Sequence, residues 1–222
     1  MEEAFSRTAL VLGDRAMEKL GRSHVAVLGL GGVGGYAVEA LGQSNLNRQL
    51  LATVDTLGLP KAQAAAQRVL SINPRCKVHP MVWRYTAESR EEFFTRRYDY
   101  IIDCIDLVSC KLDLIETALS RGIPIISALG TGNKVDAGQF QVADISKTQG
   151  CHLARIIRKE LGRRGIRHHK VVFSPELPQA AQEPDEAPPP GRRSIPGSVA
   201  WVPGCAGLML GGAVVMDLVA DL

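Results

Sequence analysis

Residues 24–41, HVAVLGLGGVGGYAVEAL, pass from a compact apolar run into a cluster of glycines and out into a helical pattern. The run at 24–28 has the length and density of a buried strand, and 33–41 has the spacing of a helix. Between them Gly29, Gly31 and Gly34 fit GxGxxG, in the strand-to-helix context that the motif requires. Glycines there allow a tight turn and bring backbone amides close to phosphate, while the helix amino terminus adds partial positive charge. A nucleotide-binding α/β unit follows from this stretch. Its nucleotide does not.

The continuation, EALGQSNLNRQ at 39–49, narrows the choice. A nicotinamide enzyme shows a second strand after the helix, ending about 20 residues on in an acid that holds the ribose hydroxyls. This chain offers instead a polar run in which Asn45, Asn47, Arg48 and Gln49 supply groups for phosphate oxygens and polar edges. Lys61 opens a helix after GLP, where its ammonium joins the helix dipole in facing an anion. Asp103 and Asp106, in DCID, stand at the carboxyl end of a buried strand, where open α/β sheets bind ligands and where a carboxylate can hold magnesium. Together these groups suit ATP better than NAD.

Elsewhere the chain alternates. Helices are expected at 9–20, 61–72, 89–97 and 111–121, and strands at 77–83, 98–104 and 123–128, which implies a parallel, helix-covered sheet. Beyond Gly130, strands at 139–144 and 170–174 flank a basic helix. Residues 175–197, rich in Pro, Glu and Ala, read as a mobile loop. The fold class is α/β: a Rossmann-like, doubly wound, mostly parallel sheet with added carboxy-terminal strands and a helix. One domain is expected over 1–222, with a nucleotide-binding part at 1–135 and a substrate-side part at 136–222.

The 222 residues carry 45% hydrophobic and 22% charged residues, ordinary proportions for a globular chain. A net charge of +3 leaves nucleic-acid affinity to a local patch. Residues 155–170, RIIRKELGRRGIRHHK, hold seven lysines and arginines with His168 and His169, and Leu153, Ile156, Ile157 and Leu161 form one apolar stripe. The five cysteines make no CxxC pair, and the amino terminus has no export pattern, so a reducing cytoplasm is expected. Residues 200–222 read as a buried helix, since their uninterrupted apolar part, 206–216, falls short of the roughly 20 residues that a bilayer needs.

GxGGxG, SNLNRQ, GLPK and DCID, in this order, resemble the adenylyltransferases related to ubiquitin-activating enzymes, which include the thiamine- and molybdopterin-pathway activating proteins. KVVFSPE, FQVADISKT and PGSVAWVPGCAGL are most similar to the branch that dehydrates threonylcarbamoyladenosine in tRNA. The resemblance implies that Gly29, Gly31, Gly32 and Gly34 line ATP, with Asn45 and Gln49 beside it, and that Asn47, Arg48 and Lys61 contact its phosphates. It implies that Asp106 supports Mg2+ and that Arg7, in FSRTALVLG, reaches the ATP of a partner subunit in a homodimer. Cys205 matches a cysteine near the active site. The implied partner is tRNA carrying threonylcarbamoyladenosine; the alternative is activation of the carboxy terminus of a ubiquitin-like sulfur-carrier protein. A nicotinamide-binding dehydrogenase and a nucleotide-sensing scaffold are the remaining readings.

Against that family pattern, the second strand and its ribose-binding acid, roughly 15 residues, are absent between Gln43 and Asn45. We read the junction as an interruption of the chain where an untraced segment has been closed up. A Cα separation well beyond 3.8 Å there would mark it.

Overall fold

The strands YIID, IISA and KVVF are short and nearly continuous in apolar residues, as strands covered on both faces must be. In the computed structural model, which describes residues 3–32, 43–180 and 196–222, they form the middle of one sheet. Strands β1 (Val25–Leu28), β2 (Tyr100–Asp103), β3 (Ile125–Ala128), β4 (Gln141–Asp144) and β5 (Lys170–Phe173) lie in the order β1-β2-β3-β5-β4. All neighbours are parallel except β4, which runs antiparallel along β5. Leu28 pairs with Asp103 and Asp103 with Ser127, so the carboxyl ends of the first three strands finish level.

The helices in chain order are α1 (Ser6–Leu12), α2 (Asp14–Arg22), α3 (Lys61–Ile72), α4 (Arg90–Phe93), α5 (Val108–Ser120), α6 (His152–Arg163) and α7 (Trp201–Val219). On one face of the sheet, Leu114 and Ile115 of α5 and Ile157 and Leu161 of α6 pack with Ile101, Ile125 and Val171. On the other, Val202, Ala206, Leu210 and Val214 of α7, spaced four apart, pack with Tyr100, Ile126 and Val172. Asp217 fastens α7: its carboxylate accepts from Tyr100 Oη at 2.6 Å and from Lys170 Nζ at 2.6 Å. By length and composition α7 is apolar enough to cross a membrane, yet one stripe of it lies on the sheet while Leu208 and Met216 face outward.

Several expectations need correction. The single helix at 9–20 is two, α1 and α2, because Gly13 sits at φ 84° and turns the chain between them. The helix at 89–97 shrinks to α4. Residues 77–83 form no strand. A strand there would pair through the missing second strand, and Pro80 further removes a donor, so nothing repays an extended backbone. As a result β1 is an edge, with Val25 39% and Val27 45% exposed.

Residues Gln43–Asn45 form a 3-10 turn, and the Leu46 amide donates to the Gln43 carbonyl at 3.1 Å, so the polar run is wound into a compact turn. The expected glycine-loop helix at 33–41, with Gly34, lies outside the described residues, as do 181–195 of the expected loop. The described ends of that loop are both tied to Asn133: Gln179 N donates to its carbonyl at 2.7 Å, and Gly197 N to its Oδ1 at 2.6 Å.

Candidate active site

The site is built where β1 ends. Gly29 has φ 90°, and a Cβ there would stand 2.5 Å from the Cys104 carbonyl oxygen, so only glycine lets the loop leave β1 beside the end of β2. Two residues further on, Gly31 and Gly32 are half-buried. A Cβ on Gly32 would meet the Pro203 ring at 3.4 Å and the Arg48 Nε at 3.6 Å. The glycine loop, the polar run and the first turn of α7 therefore converge on one point, although 155 residues of sequence separate Arg48 from Pro203.

Arg48 is held, not loose. Its Nη1 donates to the Ser44 carbonyl at 2.8 Å and to Asn47 Oδ1 at 2.9 Å. Asn47 in turn donates from Nδ2 to the Ser198 carbonyl at 3.1 Å, which ties the polar run to the segment leading into α7. The Asn45 carbonyl accepts the Arg48 and Gln49 amides, winding the run into a tight turn. Gln49 is buried, and its Oε1 has no hydrogen-bond partner among the described residues. Lys61, the first residue of α3, is buried at the helix amino terminus.

Asp103 and Asp106 divide their work. Asp103 is fully buried, and its Oδ2 accepts from Lys111 Nζ at 2.6 Å and from Ser127 Oγ at 2.5 Å. Its Oδ1 accepts the Ile105 amide at 2.9 Å, which fixes the turn after β2. That turn delivers Asp106 to an exposed position, facing the same cavity as Gly29 and Leu30. Asp103 is thus held by Lys111, Ser127 and the Ile105 amide, whereas Asp106 stands exposed beside the glycine turn. Between them, the Cys104 thiol is pushed up to about 12 by burial and by the Asp103 charge, so it is an inert part of the wall.

Sequence reasoning missed this buried network and one further member of it. Ser127 gives its proton to Asp103, so it accepts from His169 Nε2 at 2.8 Å. His169 was expected in the basic patch; it is buried instead, its Nδ1 has no partner among the described residues, and burial with the nearby Lys111 charge lowers its pKa to about 3. A lysine inside the apolar pattern of α5 was the available signal: a charge there needs a buried partner.

The remaining basic residues are also partly spent. Arg158 donates to Thr148, Arg163 pairs with Glu160, Arg164 with Glu116, and Lys170 with Asp217. Arg155, Lys159, Arg167 and His168 remain exposed. A second turn is set by Glu176, whose carboxylate accepts the Val135 and Asp136 amides at 3.0 and 3.1 Å, beside Lys134, whose ammonium pKa is pushed down by burial. Arg7 is exposed on α1; Cys205 lies half-buried in the second turn of α7, two residues beyond Pro203. Among the described residues no group of three or more His, Cys, Asp or Glu is placed to hold a metal.

The ThiF family matches residues 42–210. The tRNA threonylcarbamoyladenosine dehydratase of Bacillus subtilis (strain 168) is 41% identical, covering 100% of this chain and 97% of its own length. That alignment runs over 246 positions against 222 residues here, so the relative carries stretches without a counterpart in this chain. The sulfur carrier protein ThiS adenylyltransferase of Escherichia coli (strain K12) is 28% identical over 64% of this chain and 63% of its own. Among solved structures, E. coli tRNA N6-threonylcarbamoyladenosine dehydratase in complex with ATP superposes with a TM-score of 0.86 at 28% identity, covering 99% of this chain and 95% of that one.

Proposed function

Because the chain belongs to the ThiF family, whose fold it shares, we propose that it is an ATP-dependent enzyme that cyclises threonylcarbamoyladenosine in tRNA, with loss of one water. The observation that carries this reading is the meeting of Gly32, Arg48 and Pro203 at the carboxyl end of a parallel sheet, in a chain 41% identical throughout to a dehydratase of that name.

The chemistry is activation of a carboxylate. The threonyl carboxylate of the modified adenosine attacks the α-phosphorus of ATP and pyrophosphate leaves. The neighbouring carbamoyl group then closes on the acyl-adenylate carbon, AMP departs, and the attacking group loses its proton. No enzyme nucleophile is needed, since the second nucleophile is already in the substrate; Cys205 is therefore assigned proximity and no covalent step. The chain contributes position and charge. The backbone of Gly29, Gly31, Gly32 and Gly34 cradles the phosphates, with Asn45, Asn47 and Gln49 at their flank. Arg48 is already locked by Ser44 and Asn47, so its guanidinium meets developing phosphate charge without reorganising. Lys61 adds an ammonium at the start of α3.

Asp106, exposed next to the glycine loop, fits Mg2+, which takes one or two protein carboxylates with phosphate oxygens; the ion supplies neutralisation of phosphate charge when bound. A homodimer would bring Arg7 of one subunit to the ATP of the other, and Leu10 and Val11, exposed on the same helix, are the apolar surface such a dimer would cover. On this reading 1–135 hold the nucleotide, 136–222 form the substrate side, and Arg155, Lys159 and Arg167 touch the tRNA backbone in the cytoplasm.

The decisive experiment is mass analysis of anticodon nucleosides after incubating the protein with ATP and threonylcarbamoylated tRNA. A product lighter by one water supports the reading; unchanged nucleoside overturns it. Activation of a ubiquitin-like sulfur carrier, the second reading, is favoured by the likeness to the E. coli ThiS adenylyltransferase. ATP–pyrophosphate exchange that depends on a carrier protein and not on modified tRNA would select it.

A further inference from the structure

The open edge of β1 is one wall of a cavity of about 730 Å3, in the range of small-molecule sites. Its opposite walls come from α3 and from residues 76–81. Val27, Ala62, Ala65, Val69, Met81 and Trp83 make it predominantly apolar. At one end it reaches Gly29, Leu30 and Asp106, so it is continuous with the glycine loop.

That continuity sets its chemistry. In open α/β sheets the pyrophosphate sits at the glycine turn and the ribose lies beside the end of the first strand, held by an acid at the end of the strand next to it. No such neighbour of β1 exists among the described residues, and Asp106, on the phosphate side, is the one carboxylate among those that line the cavity. The place where ribose hydroxyls would meet an acid is therefore the mouth of an apolar chamber. We propose that this chamber takes an apolar group carried on the ribose hydroxyls of an adenine nucleotide, so that the site binds sugar-acylated ATP more tightly than ATP itself.

The proposal rests on the ATP reading above, and one experiment separates the two. The full-length protein is titrated with ATP and with 2′(3′)-O-(N-methylanthraniloyl)-ATP, following anthraniloyl fluorescence and thermal stability. Transfer of one aromatic ring into an apolar cavity is worth about a tenfold gain in affinity, and the emission shifts to the blue. Ala65→Trp, which fills the chamber from α3, removes the gain and leaves ATP affinity unchanged; Val69→Phe serves if the first variant does not fold. Equal or weaker binding of the acylated nucleotide, with ATP bound normally, overturns the proposal alone, as does a gain that survives both substitutions. Binding of neither nucleotide overturns the ATP reading with it.

Discussion

Strands β1 and β3 are both short, mostly apolar tetrads, VAVL and IISA, and fare differently. All four residues of β3 are buried, with strands on both sides and helices on both faces. Alternate residues of β1 are exposed, because the sheet ends there. Apolar composition makes a strand; neighbours decide whether it is core. The contrast extends to polar groups. Around β3 the Lys111, Asp103 and Ser127 side chains are satisfied internally, whereas around β1 the lining is mostly apolar, with Lys77, Arg84, Arg96 and Arg97 among it, and stays accessible.

Substitutions on the two sides should separate sharply. Lys111→Met leaves the Asp103 carboxylate buried without its cation and should cost about 3–5 kcal/mol, read from urea unfolding. Val27→Ala, on the half-exposed edge, should cost less than about 1 kcal/mol in the same assay. Similar costs for the two would break the comparison.

Between the two regions stands the rim to which the proposal assigns ATP. Arg48→Ala or Asp106→Ala should lower ATP-dependent cyclisation by about 100-fold or more while the unfolding midpoint stays near that of the parent. Wild-type turnover in either variant would remove that residue from the mechanism.

The closed side also carries a pH signature. His169 titrates near 6.5 when unfolded and near 3 when folded, so the unfolded chain binds more protons between those values. Its contribution to stability is fully present above about 6.5 and is lost progressively as pH falls towards 3. His169→Gln should flatten that part of the stability profile; an unchanged slope would mean that the ring is not buried neutral.

The smallest effect is expected on the exposed helix. Changing Arg155, Lys159 and Arg167 together to Gln should weaken tRNA binding modestly and reduce the magnitude of the salt slope by about 2 to 3. Turnover on saturating tRNA should hold.

The closed side was readable because its strands and helices are regular. The apolar tetrads of β2, β3 and β5 and the stripes of α5 and α6 depend on period and hydrophobicity, which are local properties of sequence. Residues 77–83 carried the same kind of signal and misled, since alternation specifies an extended segment only when another strand is there to receive its hydrogen bonds. The placement of Arg48 beside the glycine turn, Lys61 at the start of α3 and Asp106 after β2 was legible from residue type and position. The role of Asp103 was not, because its partner Lys111 lies a full helix turn into α5 and meets it only in the folded core.

By itself the sequence determined the class of fold, the glycine turn with its phosphate-binding chemistry, and the family, since each rests on spacing within a few dozen residues. Only the tertiary structure decided which of the two aspartates is buried and which is exposed beside the glycine turn, that His169 belongs to the core and not to the basic surface, and that α7 closes against the loop through Pro203. Those outcomes depend on contacts between residues far apart in the chain, where burial and pairing set the energy of a charge. The junction after the glycine region belongs to both. Its short polar run was plain in the sequence, and the structure turned the missing strand into an open edge and a chamber beside it.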